Sequence, residues 1–203
     1  MRIMRFHFGA VPTSPDFAPD TSWKSLREPS PWLAQFIGLP IGAVTAALIA
    51  VLWGKLTPLW DAPFTMTPWV FLLLCGGIPV VHELIHAATD PMGGRSEHSI
   101  VGFWPSRLLF YAHYDGELSR NRLVAILLMP LFVLSILPLL LAMAMQSAAL
   151  WIAFVSAYNA LSSCVDLLGA VMVLYQIPAS ATVRNQGWKT YWREREELCR
   201  VPG

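Results

Sequence analysis

The chain has 203 residues, of which 55% are hydrophobic and only 13% charged, with a formal net charge of +1. A water-soluble domain of this size would be nearer a quarter charged, so the composition excludes a single soluble core and points to a polytopic membrane protein. The balanced charge gives no basic excess that would suggest nucleic acid as a partner.

The first segment, residues 1–32, holds Pro12, Pro15, Pro19, Pro29 and Pro31 among polar residues. It has no apolar central region, so it is not a signal peptide, and it reads as a mostly irregular, water-exposed tail. A membrane domain is expected over 33–176, followed by a second tail over 177–203. Four stretches in the domain approach or exceed the roughly 20 apolar residues that a spanning helix needs: 33–53, 66–88, 123–146 and 148–175. The expected class is therefore all-α, with Trp32, Trp53, Trp69 and Trp151 near the span ends as an aromatic belt would place them. Pro130 and Pro138 should kink the third span without chemical consequence.

Outside the spans, the N-terminal segment, the long 89–122 loop and the C-terminal tail together carry thirteen Lys and Arg, against Lys55 alone on the opposite side. The positive-inside rule makes the thirteen-residue side cytoplasmic, with both termini there. Within 89–122, SIVGFWPSRLLFYAHYDG places β-branched and aromatic residues around Trp104-Pro105-Ser106, which predicts a short β-hairpin. Its edge strand could add an extended substrate as a further strand, or the segment could lie in the membrane interface. The tail WKTYWREREELCR reads as an interface-lying helix. Cys75, Cys164 and Cys199 are scattered without a CxxC pair and imply no disulfide.

The second span ends in VVHELIHAATD, residues 80–90. Ionisable groups in lipid cost at least about 2.5 kcal/mol each, so they are kept for a purpose. On a helix His82 and His86 stand one turn apart and point the same way, a spacing that lets both imidazoles bind one Zn2+. Glu83 is placed to take a proton from a water activated by that ion. A third protein ligand is needed. The candidates are Asp90, His98, His113, Asp115, Glu117 and Asp166, and only Asp166 is embedded in another span, in NALSSCVDLLG. Asp166 is therefore the expected ligand, although straight-helix arithmetic puts it about 14 Å before its span end against about 8 Å for Glu83. Asp90, one turn beyond His86, is the runner-up ligand or an acceptor that orients the His86 ring. His113 could serve as a ligand or oxyanion partner, or simply as an interface residue beside Tyr111 and Tyr114. Asn159, Ser162 and Ser163 form a polar stripe that either bonds helices together or lines a water route. Gly76, Gly77 and Pro79 weaken the helix before the histidines, either to admit water or a neighbour, or to allow tight packing.

HELIH in one span and NALSSCVDLLG in a later one resemble the two motifs of the site-2 protease class of intramembrane zinc metalloproteases, and more closely a compact bacterial group known as putative zincin peptidases. The likeness covers roughly 66–176. It implies His82, His86 and Asp166 as zinc ligands, Glu83 as catalytic base, and Asn159 as the motif's asparagine, polarising a substrate carbonyl or hydrogen-bonding near the metal. The larger class has Gly directly after the Asp, whereas Leu167 and Leu168 precede Gly169 here. There is also no PDZ-like domain and no six-span layout, so substrate specificity does not transfer. The resemblance implies a multi-pass protein of the bacterial inner membrane that hydrolyses membrane-associated proteins or peptides. A non-proteolytic metal-binding membrane protein and a transporter are the other readings, and oligomeric state is not legible.

Overall fold

Long apolar runs satisfy their backbone polar groups internally, so in this chain they become helices. The structure is a computed structural model that describes residues 4–61, 67–145 and 149–194. It contains α1 (Pro31–Leu56) and α2 (Pro68–Thr89), both opening on proline, whose missing amide is harmless in a first turn. Next come α3 (Arg120–Leu131), a π turn (Phe132–Ile136) and α4 (Leu137–Met145), which together form one apolar rod. The bent pair α5 (Leu150–Ser162) and α6 (Cys164–Gln176) completes the bundle. Three helices are long and apolar enough to cross a membrane, or four if the pair, bent by 48°, is one span. The expected limits at 66, 146 and 148 lie outside the described residues.

The bend in the last span has a local cause. Ser162 Oγ donates to Tyr158 O at 3.1 Å and Ser163 Oγ to Asn159 O at 2.9 Å. Such bonds to the carbonyl four residues back compete with the helical amides and bend helices.

Two small sheets accompany the helices, so the all-α expectation is corrected to mostly helical with β structure at one end. The expected hairpin forms, with β3 (Ser99–Trp104) antiparallel to β4 (Leu109–Tyr114). β1 (Arg5–Phe8) joins β3 in parallel, giving the order β1-β3-β4, with no strand on the outer edge of β4 among the described residues. The second sheet runs β2-β7-β6-β5, from β2 (Lys24–Ser25), β5 (Leu118–Ser119), β6 (Thr182–Gln186) and β7 (Lys189–Arg193). The N-terminal segment is mostly irregular as expected, yet it is tied down. It supplies a strand to each sheet, and the Gln186 amide bonds Ser14 N, Ser14 O and Phe17 O. Residues 189–193 form a strand rather than an interfacial helix, because pairing with β6 sets Trp192 on the Leu118 and Val183 cluster and Tyr191 against Phe17; 195–203, including Cys199, lie outside the described residues.

Trp53 also departs from expectation. It is 0% exposed and donates from Nε1 to Ser156 Oγ at 3.0 Å, at the centre of an apolar cluster with Ile49, Leu59, Leu139 and Ala153. Trp32, Trp69 and Trp151 remain exposed. α1 packs on the last pair through Gly42, where an added Cβ would stand 2.5 Å from Leu161 O and 2.7 Å from Cys164 Cβ. By contrast, a Cβ at Gly76 or Gly77 would meet nothing within 4 Å, so those glycines do not serve close helix packing.

Two predictions follow from this packing. Gly42→Leu should lower the thermal midpoint in detergent, since overpacking costs about 1–3 kcal/mol, while Gly77→Ala leaves it unchanged or raised. The second concerns Glu28, which accepts from Thr190 N at 2.6 Å and Thr190 Oγ1 at 3.1 Å. Burial nevertheless pushes its carboxyl up from 4.5 to about 7. A carboxyl raised in the folded state opposes folding once ionised: the penalty is absent below the unfolded value and complete above the folded one. The wild-type midpoint should therefore fall relative to Glu28→Gln between about pH 5 and about pH 8.

Candidate metal centre

His82 and His86 share the inner face of α2, and their rings lie edge to face with centroids 4.8 Å apart. Both are buried. Asp166 arrives from the first turn of α6, where unpaired amides favour a carboxylate. A straight fourth span would hold it about 6 Å deeper than Glu83. In the bent span Asp166 Oδ2 stands 2.9 Å from His82 Nε2 and Oδ1 stands 3.3 Å from His86 Nε2. The two Nε2 atoms are 3.1 Å apart. Among the described residues these three are the only His, Cys, Asp or Glu group close enough to share an ion. Asp90, His98, His113, Asp115 and Glu117 do not join it.

The outer nitrogens fix what the inner ones can do. His82 Nδ1–H donates to Asn159 Oδ1 at 2.9 Å, and His86 Nδ1–H donates to the carbonyl of Ile126 at 2.8 Å. With Nδ1 protonated on each ring, both Nε2 atoms present lone pairs. Three acceptors thus converge with no donor between them. One proton could bridge a single pair, whereas a divalent cation answers all three at once. Two donors on a tetrahedral zinc ion with bonds of about 2.0–2.1 Å stand about 3.3 Å apart, close to the separations here. The residues therefore fit zinc.

Two prolines supply part of the scaffold, a role the sequence reading did not assign. A proline inside a helix leaves the carbonyl four residues back without its donor. Pro130 frees Ile126 O, and that is the oxygen His86 takes. Pro79 frees Cys75 O, which receives the Tyr158 hydroxyl at 3.3 Å. Asn159 is wholly committed: besides accepting from His82, its Nδ2 donates to Pro130 O at 3.0 Å and Ser135 Oγ at 2.9 Å. It is 0% exposed, with both amide hydrogens donated within the protein and its oxygen against His82.

Asp90 does not orient His86, because Ile126 already holds that ring. It ends α2, where the Arg122 guanidinium bonds the carbonyls of Thr89 and Asp90, a cation matched to a helix C-terminus. Burial raises its carboxyl to about 6. His113, on β4, is buried and held down to about 4 by that burial, hence neutral.

Glu83, half-buried, faces a cavity of about 590 Å3 that also touches His82, His86, Asp166 and the whole of β4. Its carboxylate interacts with the backbone N–H of Ala112, on the open edge of that strand. Among the described residues no Lys or Arg lines the cavity, while Cys75 and Pro79 do, so the weakened stretch of α2 borders open space.

If the prolines and asparagine hold the rings as described, Pro130→Ala and Asn159→Leu should each weaken zinc binding by about 10–100-fold while leaving all three ligands in place. Competition against a chromophoric chelator would measure this.

No curated protein and no solved structure matches the chain. One family model does match, over residues 75–182, which is more than half of the chain and includes both histidines, Glu83, Asn159 and Asp166. With the donor set converging as zinc requires, the chain belongs to the family described as "Putative zincin peptidase".

Proposed function

We propose that this chain is an integral-membrane zinc metallopeptidase of the site-2 type, cleaving extended segments of membrane-associated proteins at the cytoplasmic boundary of a bacterial inner membrane. The observation that carries it is the convergence of His82, His86 and Asp166 beside Glu83, within helices long and apolar enough to span a bilayer. Zinc, when bound, supplies the Lewis acidity that makes a water nucleophilic near neutral pH and polarises the scissile carbonyl. His82, His86 and Asp166 hold the ion, with Asn159 and Ile126 O fixing the two rings. Glu83 takes the proton from the attacking water and delivers it to the leaving amine.

The substrate path follows β4. Among the described residues no strand pairs with its outer edge, which runs alongside the cavity, so an extended peptide can pair with it and pass Glu83. A helical segment must unwind to do so, which favours substrates with weak helices. The orientation rests on the thirteen-to-one distribution of basic residues, which makes the sheet-bearing end, with both termini, cytoplasmic.

The test is hydrolysis of a fluorogenic peptide library by purified protein, with zinc measured in parallel. Glu83→Gln should keep stoichiometric zinc and lose activity by about 100-fold or more. Retained hydrolysis in that variant, or wild-type protein that carries zinc and cleaves nothing, would contradict the proposal; the second result would favour a non-proteolytic metal-binding protein.

A further inference from the structure

Successive side chains of a strand point to opposite faces, so the register divides the β1-β3-β4 sheet cleanly. One face carries Arg5, His7, Ile100, Gly102, Tyr111 and His113. The N-terminal segment covers its β3-β4 part, where Ile100, Tyr111 and His113 are buried: Tyr111 Oη donates to Ala10 O, and Pro12, Thr13 and Asp16 wall a cavity beside His7 and His113, with Arg5 exposed at the rim. The other face places Phe8, Phe103 and Phe110 side by side across three strands, with centroids 6.1 and 4.5 Å apart, and Phe6 next to Val101. This aromatic face is the open one. Phe6 is 72% and Phe8 68% exposed, and Leu108, at the hairpin turn, is 78% exposed. A sheet in water would not leave its phenylalanines open while burying His113 on the opposite face.

The same sheet is pinned beside the membrane domain. Gln35, in the first turns of α1, donates to Arg107 O at 3.3 Å. The Arg107 guanidinium lies over the rings of both Trp32 and Trp104. Here α1 itself presents exposed Leu33 and Phe36 outward. The phenylalanine face is thus continuous with the lipid-facing surface of a spanning helix, bordered by tryptophans and arginines as at a headgroup boundary. Depth is bounded as well. Among the described residues no strand pairs with the outer edge of β1, and such open backbone groups are tolerated in the hydrated headgroup layer but not in hydrocarbon. Gly38 of α1 packs on the Cys164 backbone, two residues before Asp166, so the Gln35 anchor stands near the level of the metal ligands.

We infer that the phenylalanine face of the β1-β3-β4 sheet is a lipid-docking surface, resting in the headgroup–acyl boundary beside α1 at about the depth of the metal centre. The occupant is phospholipid. The inference is independent of peptidase activity.

The test uses the full chain with Cys75, Cys164 and Cys199 replaced by alanine and one nitroxide-labelled cysteine at a time in place of Phe6, His7, Phe8, Phe36 or Leu108. The protein is reconstituted into phosphatidylcholine–phosphatidylglycerol liposomes. Collisions with oxygen, which concentrates in the bilayer, are compared with collisions with a water-soluble nickel chelate. At Phe6, Phe8 and Leu108, oxygen collisions should exceed nickel collisions severalfold, as at the α1 control Phe36, while His7 shows the opposite. Nickel-dominated values at Phe6 and Phe8 would overturn the inference, as would shielding from both reagents, which would mark a protein partner. Hydroxyl-radical oxidation of the unmodified protein in the same liposomes guards against disturbance by the label: Phe6 and Phe8 should remain unoxidised, and their oxidation would count against docking.

Discussion

Asp166 Oδ1 and Oδ2 and the Nε2 atoms of His82 and His86 meet with only acceptor character turned inward. Inside a low-dielectric bundle such an arrangement is repulsive without positive charge, and an unanswered buried acceptor or charge costs several kcal/mol. The chain nevertheless commits both outer nitrogens to protein partners, which removes the alternative of turning the rings around. That commitment makes the group a cation site rather than a set of stray polar residues. It also requires α2, α3, α5 and α6 to hold their relative positions.

The means by which they do so are defects in helices. Serines at 162 and 163 bend the last span and bring Asp166 to the histidines. Pro130 strips Ile126 O of its helical donor and leaves it for His86, and its own carbonyl anchors Asn159. In a water-soluble helix a freed carbonyl would be hydrated. In an apolar bundle it must find a protein donor, and the oxygens freed by Pro130 and Pro79 are taken by the His86 and Tyr158 side chains. Small residues do complementary work at Gly42, which lets α1 approach the bent pair, whereas Gly76 and Gly77 leave the space beside α2 unfilled.

Much of this is legible in the chain itself. Apolar runs gave the helices to within a few residues, and the four-residue spacing of His82 and His86 gave their shared face. Asp166 stood out because no other carboxylate interrupts a span beyond the HELIH segment. The hairpin was visible in the alternation around Trp104. What escaped depends on partners distant in sequence. RFHF and KTYWR are too short to declare themselves as strands until β3 and β6 pair with them. Trp53 resembles a belt residue until Ser156, 103 positions away, is seen to take its N–H. The prolines were readable as kinks, but which donor would claim each freed carbonyl is a tertiary fact.

The strand β4 and the three metal ligands line one cavity, so the sheet and the site belong to one region of the molecule. All of this presumes that the ion is held as the side chains indicate. X-ray absorption at the zinc edge of purified protein tests that most directly. The first shell should consist of light atoms at about 2.0 Å, with the outer scattering of two imidazoles and a loss of one oxygen in Asp166→Ala. A sulfur at about 2.3 Å, a single imidazole, or a shell unchanged by Asp166→Ala would contradict it.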